Sequence, residues 1–266
     1  MAMVTLPAIT IPDVELFVLV LVRISSMIFM VPIFNDKSIP AILKVGISLL
    51  LVFLLFPLLR HQPHPPLFAG GLVMALLLIV RELAIGITVG FMAAMLLASV
   101  QTAGQLMGFQ MGFSIVNVID PVSSVQVSII AQFQYLVALL LFLSMGAHRW
   151  FIKAMNESFQ LIPLGGFSLS NDLLQMLIHY SANIFVIAIK LGAPLMVALL
   201  LCNVILGVLA RTVPQMNIFI VGYPLQIGLG LLVLAFSAPY MVSMFQGLYV
   251  KFFHDVFIVL QASGNG

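Results

Sequence analysis

From Ile184 to Ala210 the chain carries two strongly polar side chains, Lys190 and Asn203, and the stretch Ile218–Phe236 is nearly as apolar. Each run approaches or exceeds the roughly 20 apolar residues that a helix needs to cross a bilayer. Between them stands a polar break, Arg211-Thr212-Val213-Pro214-Gln215-Met216-Asn217, with Phe219, Gly222 and Pro224 following. A turn needs only Gly, Pro or a small polar residue. Arginine, glutamine and asparagine grouped around a proline exceed that need and mark a candidate contact site.

The rest of the chain is built the same way. Of its 266 residues 63% are hydrophobic and 7% charged, against about 25% charged in a soluble domain. Such a chain cannot cover its surface with polar groups, so most of that surface must face lipid or other apolar subunits. A net charge of +2 offers nothing to nucleic acid. Cys202 is the single cysteine, so no intrachain disulfide forms, and it reads as a small buried hydrophobe. Asp13 and Glu15 stand where a signal peptide would carry positive charge, so no cleavable leader is expected.

The apolar runs predict helices at Val14–Val31, Ile39–Leu59, Gly71–Gln101, Val122–Met145, Asp172–Leu209, Ile218–Phe236 and Pro239–Leu260. Gly71–Gln101 and Asp172–Leu209 are long enough for one tilted helix or a hairpin of two. Gly192 and Pro194 should kink or break the second of these. Membrane strands need alternating polarity, which is missing, so a single all-α domain is expected. The polar stretches Pro32–Pro40, Arg60–Pro66 and Gly146–Gly166 read as linkers. Basic residues fall on both sides of any alternating topology, so the positive-inside rule gives no orientation.

Two groups of residues carry functional interest. Gly104, Gly108 and Gly112 recur every fourth position, with Met107, Phe109, Met111 and Phe113 among them. The spacing suits close helix contact, as does that of Gly86, Gly90, Ala94 and Ala98. For the stretch running to Asp120-Pro121 a deformable loop is equally open, because glycine weakens a helix and methionine repacks easily. The second group is the charges within or beside apolar runs: Arg81, Glu82, Asp120, Lys190 and Arg211. Each should face a partner, a cavity or the interior. Arg81 and Glu82 are adjacent and so do not pair with each other; interhelix or intersubunit ion pairs are favoured over a proton relay. No cofactor and no metal ligand set is expected: His61 and His64 sit among prolines without a cysteine or carboxylate nearby. Ser114 lacks the glycine of a nucleophile elbow, and no phosphate-binding loop is present, so no enzymatic activity is expected.

Taken in order, many of these residues resemble the FliR family, subunits of the flagellar type III export gate related to injectisome SctT. The pattern runs through Arg23, Met27, Pro32, Phe34, Lys44-Val45-Gly46, Glu82, Gly86, Gly90 and Ala103-Gly104. It continues with Gly108-Phe109-Gln110-Met111-Gly112, Asp120-Pro121, Gly146, His148, Ser158-Phe159, Pro163, Gly165 and Ala193-Pro194. It closes on Leu206-Gly207, Arg211, Pro214-Gln215-Met216-Asn217, Phe219, Gly222 and Pro224, whose form is the flagellar one.

The resemblance implies long apolar helical hairpins, FliP-like over roughly 1–170 and FliQ-like over 171–266. It implies assembly with FliP-like and FliQ-like subunits, contact with FlhB-like and FlhA-like proteins, and a channel for unfolded flagellar subunits. The location would be the bacterial inner membrane, in the flagellar basal body. The stretch Gly104–Asp120 would form part of a pore plug, and the Arg211–Asn217 cluster a docking determinant. A secondary transporter of a small solute is the alternative, resting on a broken helix at Gly192-Pro194 and on Glu82 and Lys190 as midplane charges.

Overall fold

The computed structural model describes residues 10–35, 39–60, 65–66, 71–113, 128–213, 215 and 217–264. Among these the chain is helical, without strands: α1 (Ile11–Met30), α2 (Pro32–Asn35), α3 (Ala41–Leu59), α4 (Gly71–Gln110), α5 (Ile129–Ser144), α6 (Ala147–Leu161), α7 (Asn171–Thr212) and α8 (Ile218–Gly264). Four of them, α3, α4, α7 and α8, are long and apolar enough to cross a membrane. The all-α membrane architecture expected from the apolar runs is what the chain adopts.

Four expectations are corrected. Helix α4 does not stop at Gln101 but continues through Gly104 and Gly108 to Gln110. Helix α7 is neither a hairpin nor broken at Gly192 and Pro194; it is one helix of 42 residues. The two helices expected on either side of Pro239 are a single 47-residue helix with Pro224 and Pro239 inside it. Apolar surroundings favour continued helix at such prolines, because an unwound backbone would leave more polar groups unsatisfied than the one lost hydrogen bond. Finally, most of the stretch read as the linker Gly146–Gly166 is helix α6.

The helices sort into two compact units that interleave along the sequence. The first comprises residues 1–94, 148–178 and 253–266. In it α1 runs antiparallel to α3: Phe17 meets Phe53 in a tilted pair and Phe56 edge-on, with ring centroids 5.5 and 6.1 Å apart. Arg60 closes the end of this pair on Asp13, its Nε and Nη2 donating at 2.8 and 2.9 Å. Asp13 also accepts from the Thr10 N–H at 2.9 Å, one half of a capping box at the start of α1. The Arg60 hydrogen bond and the two Thr10 donors hold the Asp13 carboxyl down at about 2.

Helix α1 runs parallel to α4 in the same unit. A methyl group at Gly86 would stand 1.7 Å from Ser26 Oγ, and one at Gly90 2.2 Å from Met30 Cβ. The two backbones therefore touch along the glycine stripe that the four-residue spacing marks. The last turn of α8 is closed by the segment before α7, where the Ser168 N–H donates to the Ser263 carbonyl at 3.0 Å. Ser170 then caps α7, accepting from the Leu173 N–H at 3.2 Å.

The second unit comprises residues 95–147 and 179–252. Its frame is an antiparallel hairpin of α7 and α8. Tyr240 donates its hydroxyl to the Lys190 carbonyl at 3.2 Å, and nearer the tip Gln226 donates to Asn203. The end of α4 and the whole of α5 complete this unit.

Candidate functional site

In the first unit two charged residues on different helices, Arg23 and Glu82, meet in one buried knot. Arg23 and Glu82 are fully buried and form a bidentate ion pair, with Nε to Oε2 at 2.5 Å and Nη2 to Oε1 at 3.2 Å. The guanidinium has five N–H groups. Nη1 donates to the carbonyls of Ser158 and Ile162, both at 2.9 Å, and Nη2 also reaches the Pro163 carbonyl at 3.4 Å. Every donor is used, and the Phe159 ring lies 4.4 Å beneath the cation. These carbonyls belong to the last turn of α6 and to the two residues just after it, beside the negative end of the helix dipole. Arg23 therefore joins α1, α4 and α6 at one point.

Glu82 and Arg81 also read one turn. Gly166 donates to the Pro163 carbonyl at 2.9 Å, and Gly165 has a φ of +73°, the signature of a type II turn. The Gly165 N–H donates to Glu82 at 2.6 Å, and Arg81 donates to the Gly165 carbonyl at 2.9 Å. Adjacent residues on α4 thus grip the two polar groups of one glycine. Glu82 makes an interhelix ion pair; its partner Arg23 lies 59 positions away. That distance, with no alignment of charges in the sequence, is why residue patterns alone name the buried groups but not the pair.

In the second unit the glycine–methionine stretch is an ordered helix end. A methyl group at Gly104 would stand 2.5 Å from Ala131 Cα, and one at Gly108 2.0 Å from Ser128 Oγ, so α4 and the start of α5 meet backbone to backbone. The helix closes in a Schellman motif: Phe113 N–H donates to the Gly108 carbonyl and Gly112 N–H to that of Phe109, both at 3.1 Å. Gly112 sits at φ +87°, a conformation glycine adopts without cost. Met107 and Met111 are fully buried, while Phe109 is 62% exposed and Phe113 half-buried. The Met111 side chain lies against α8, within 2.7 Å of where a methyl on Gly230 would stand. Asp120 and Ser114 lie outside the described residues, as do His61, His64, Pro214 and Met216.

Sequence reading missed Gln134. It is 5% exposed on α5, and its Nε2 faces the sulfurs of Met107 and Met241 at 3.7 and 3.9 Å. It is one of three glutamines in the apolar run Val122–Met145, with Gln126 and Gln132, and nothing in the sequence singles it out from them.

The polar break lies at the tip of the α7–α8 hairpin. Arg211, Gln215 and Asn217 are exposed. Arg211 stands in the last turn of α7, where a cation offsets the dipole, and Asn217 at the start of α8, a position asparagine favours. Next to them is a cleft of about 260 Å³, lined by Asn203, Gly207, Gly222 and Gln226. Lys190 is exposed near the middle of α7. Because α7 is helical through Gly192 and Pro194, the unwound midplane site of the transporter reading does not form there. No group of three or more metal-ligating side chains occurs among the described residues.

The same residues fall within a region shared with known proteins. Residues 14–252 match the family model described as bacterial export proteins, family 1. The flagellar biosynthetic protein FliR of Escherichia coli (strain K12) is 32% identical over 234 residues, 88% of each chain. That of Bacillus subtilis (strain 168) is 36% identical over 221 residues, 82% of this chain and 84% of the relative. That of Aquifex aeolicus (strain VF5) is 29% identical over 232 residues, 87% of this chain and 88% of the relative. The match takes in the Arg23–Glu82 knot, the Gly104–Phe113 helix end and the Arg211–Asn217 tip alike. The chain belongs to the bacterial export proteins of family 1, a family of type III export components that includes the flagellar FliR proteins.

Proposed function

We propose that this chain is a non-catalytic core subunit of the flagellar type III export gate, forming with FliP-like and FliQ-like subunits a channel for unfolded flagellar proteins. One observation carries the assembly reading. Large apolar side chains are exposed along α7 from Leu174 to Leu209 and along α8 from Ile220 to Ile258. At about 1.5 Å per residue each stripe runs over 50 Å, against a hydrocarbon core of about 30 Å. Fitting such a stripe into lipid alone would take a tilt of roughly 55°, beyond the range of about 0–40° that membrane helices show. Part of it must therefore be covered by other apolar protein.

In this reading the part before α7, roughly 1–170, is FliP-like and 171–266 is FliQ-like; the division falls where Ser170 caps α7. The Gly104–Phe113 helix end contributes to the pore plug, with Phe109 presented outward and Met107 and Met111 behind it. An apolar constriction withholds hydration from ions. Arg211, Pro214, Gln215 and Asn217 form a docking tip for FlhB-like or FlhA-like neighbours, and Lys190 faces a subunit rather than lipid. The site of action is the inner membrane at the basal body.

The experiment is mild-detergent purification of the tagged chain from its native membrane, with the mass measured and partners identified. A large complex holding FliP-like and FliQ-like proteins is the expected result. A monomer or small homo-oligomer without them overturns the proposal.

A further inference from the structure

Helix α6 carries His148, Arg149, Lys153 and Glu157 within 15 residues, in a chain that is 7% charged. Ala154, Met155, Ser158 and Phe159 are buried, so one face packs inward. The outward face is not polar throughout: Trp150 and Ile152 are 38% and 44% exposed among the cations. Trp150, the single tryptophan of the chain, stacks on Phe253 of α8 with ring centroids 5.0 Å apart. The Lys153 ammonium lies 5.2 Å from the Trp150 ring and 5.9 Å from that of Phe257. Along α8 the charged and histidine side chains are confined to Lys251–Asp255, around the same Phe253. Every exposed ionisable side chain on α6 and in the 253–264 stretch of α8 is basic: His148, Arg149, Lys153 and His254. Glu157 and Asp255 are half-buried, and Glu157 is paired with Lys153 at 3.5 Å.

Arg149 sits in the first turn of α6, where a cation opposes the helix dipole, and it has no ion pair among the described residues. Its charge therefore serves something outside the chain. Arg149 and Lys153 stand one turn apart on the same side of the helix, so both can reach a single anion. An acidic protein face would satisfy these cations, but it would set charge against Ile152 and Ile258, which are exposed one turn beyond His148 and His254. A lipid offers both parts at once: a phosphate for the cations and acyl chains for the aliphatic side chains, with the indole at the boundary between them. We infer that this face of α6 binds the headgroup of an anionic phospholipid, with Arg149 and Lys153 on its phosphate and Trp150 at the edge of its acyl chains. This stands on the surface of the first unit alone and holds whether or not the chain acts in an export gate.

Because Trp150 is the only tryptophan, its fluorescence reports this face directly. The test places the purified full-length chain in phosphatidylcholine vesicles that hold a small fraction of lipid brominated on its acyl chains, either phosphatidylglycerol or phosphatidylcholine. Saturable quenching is expected, with the anionic lipid preferred by about fivefold for each cation that meets it. Unlabelled phosphatidylglycerol should reverse the quenching. Arg149→Gln with Lys153→Gln should bring the two lipids to parity, whereas Arg149→Lys should keep the preference. Equal quenching by the two lipids in the wild type, or a preference unchanged in the glutamine variant, overturns the inference. A second measurement counts the phospholipid retained by the tagged chain and its partners after purification from the native membrane. The wild type should keep about one anionic phospholipid more per chain than the glutamine variant. Equal retention overturns the inference and assigns this face to an acidic protein neighbour; if the glutamine variant does not assemble, the vesicle measurement decides.

Discussion

Arg23 and Glu82 carry the largest single consequence of any side-chain change. Removing one member of a buried pair strands the other charge, at about 3–5 kcal/mol. Arg23→Met or Glu82→Leu alone should therefore lower stability to chemical unfolding by about that much, whereas the double variant should lose well under the sum of the two. A double-mutant cycle in detergent reads this directly, and additive single losses would show that the pair is not coupled. Glu82→Gln should fall between, since its Oε1 still accepts from Gly165. The sequence makes such groups visible, because a charge inside an apolar run must be satisfied somewhere. It does not say where: the acceptors of Arg23 are mostly backbone carbonyls at the end of α6, and carbonyls leave no trace in residue type.

At the scale of elements, the close approaches of α4 divide the glycines into two kinds. Gly108→Ala forces a methyl into Ser128 Oγ, so the variant should be destabilised by about 1–3 kcal/mol through overpacking. Gly46→Ala on α3 meets nothing within 4 Å and should be neutral or gain up to about 1 kcal/mol from helix propensity. Comparable losses at both sites would count against the α4–α5 contact. The α1–α3 pair makes a different prediction. Asp13 titrates at about 2 when folded against an ordinary 3.8. Its contribution is fully present above about pH 4 and lost as the pH falls toward 2. Wild type and Asp13→Asn should differ in thermal stability at neutral pH and converge over that acid window. Most helices were legible from apolar runs alone. Helix α6 was not read, although Phe151, Ala154, Met155, Ser158 and Phe159 stand at helical spacing in it; its charged face, with His148, Arg149 and Lys153, made the stretch look like a linker. Pro239 misled in the other direction, because apolar surroundings keep α8 helical where a soluble helix would end.

At the scale of the molecule, helices about twice the thickness of the bilayer core place this chain among partners, and that length was hidden by the prolines and glycines that punctuate its runs. The candidate gate was legible as composition, glycine alternating with methionine and phenylalanine, but not as an ordered cap. The Schellman end makes the plug reading specific. In the proposed plug a buried Met107–Met111 base presents Phe109 and leads into Phe113, so closure would depend on large apolar side chains held by an ordered helix end. Replacing Met107, Met111 and Phe113 with alanine should raise ion leakage through assembled complexes in planar bilayers, because hollowing the buried Met107–Met111 base frees Phe109 to shift and the loss of Phe113 widens an apolar constriction that then admits hydrated ions. Gly112→Ala acts by another route: it strains the φ +87° position and crowds Tyr223, so it should raise leakage while leaving every large side chain in place. If both variants assemble and conduct no more than wild type, the Gly104–Phe113 segment does not seal the pore. If only the alanine triple variant leaks, bulk alone makes the seal and the cap serves only stability.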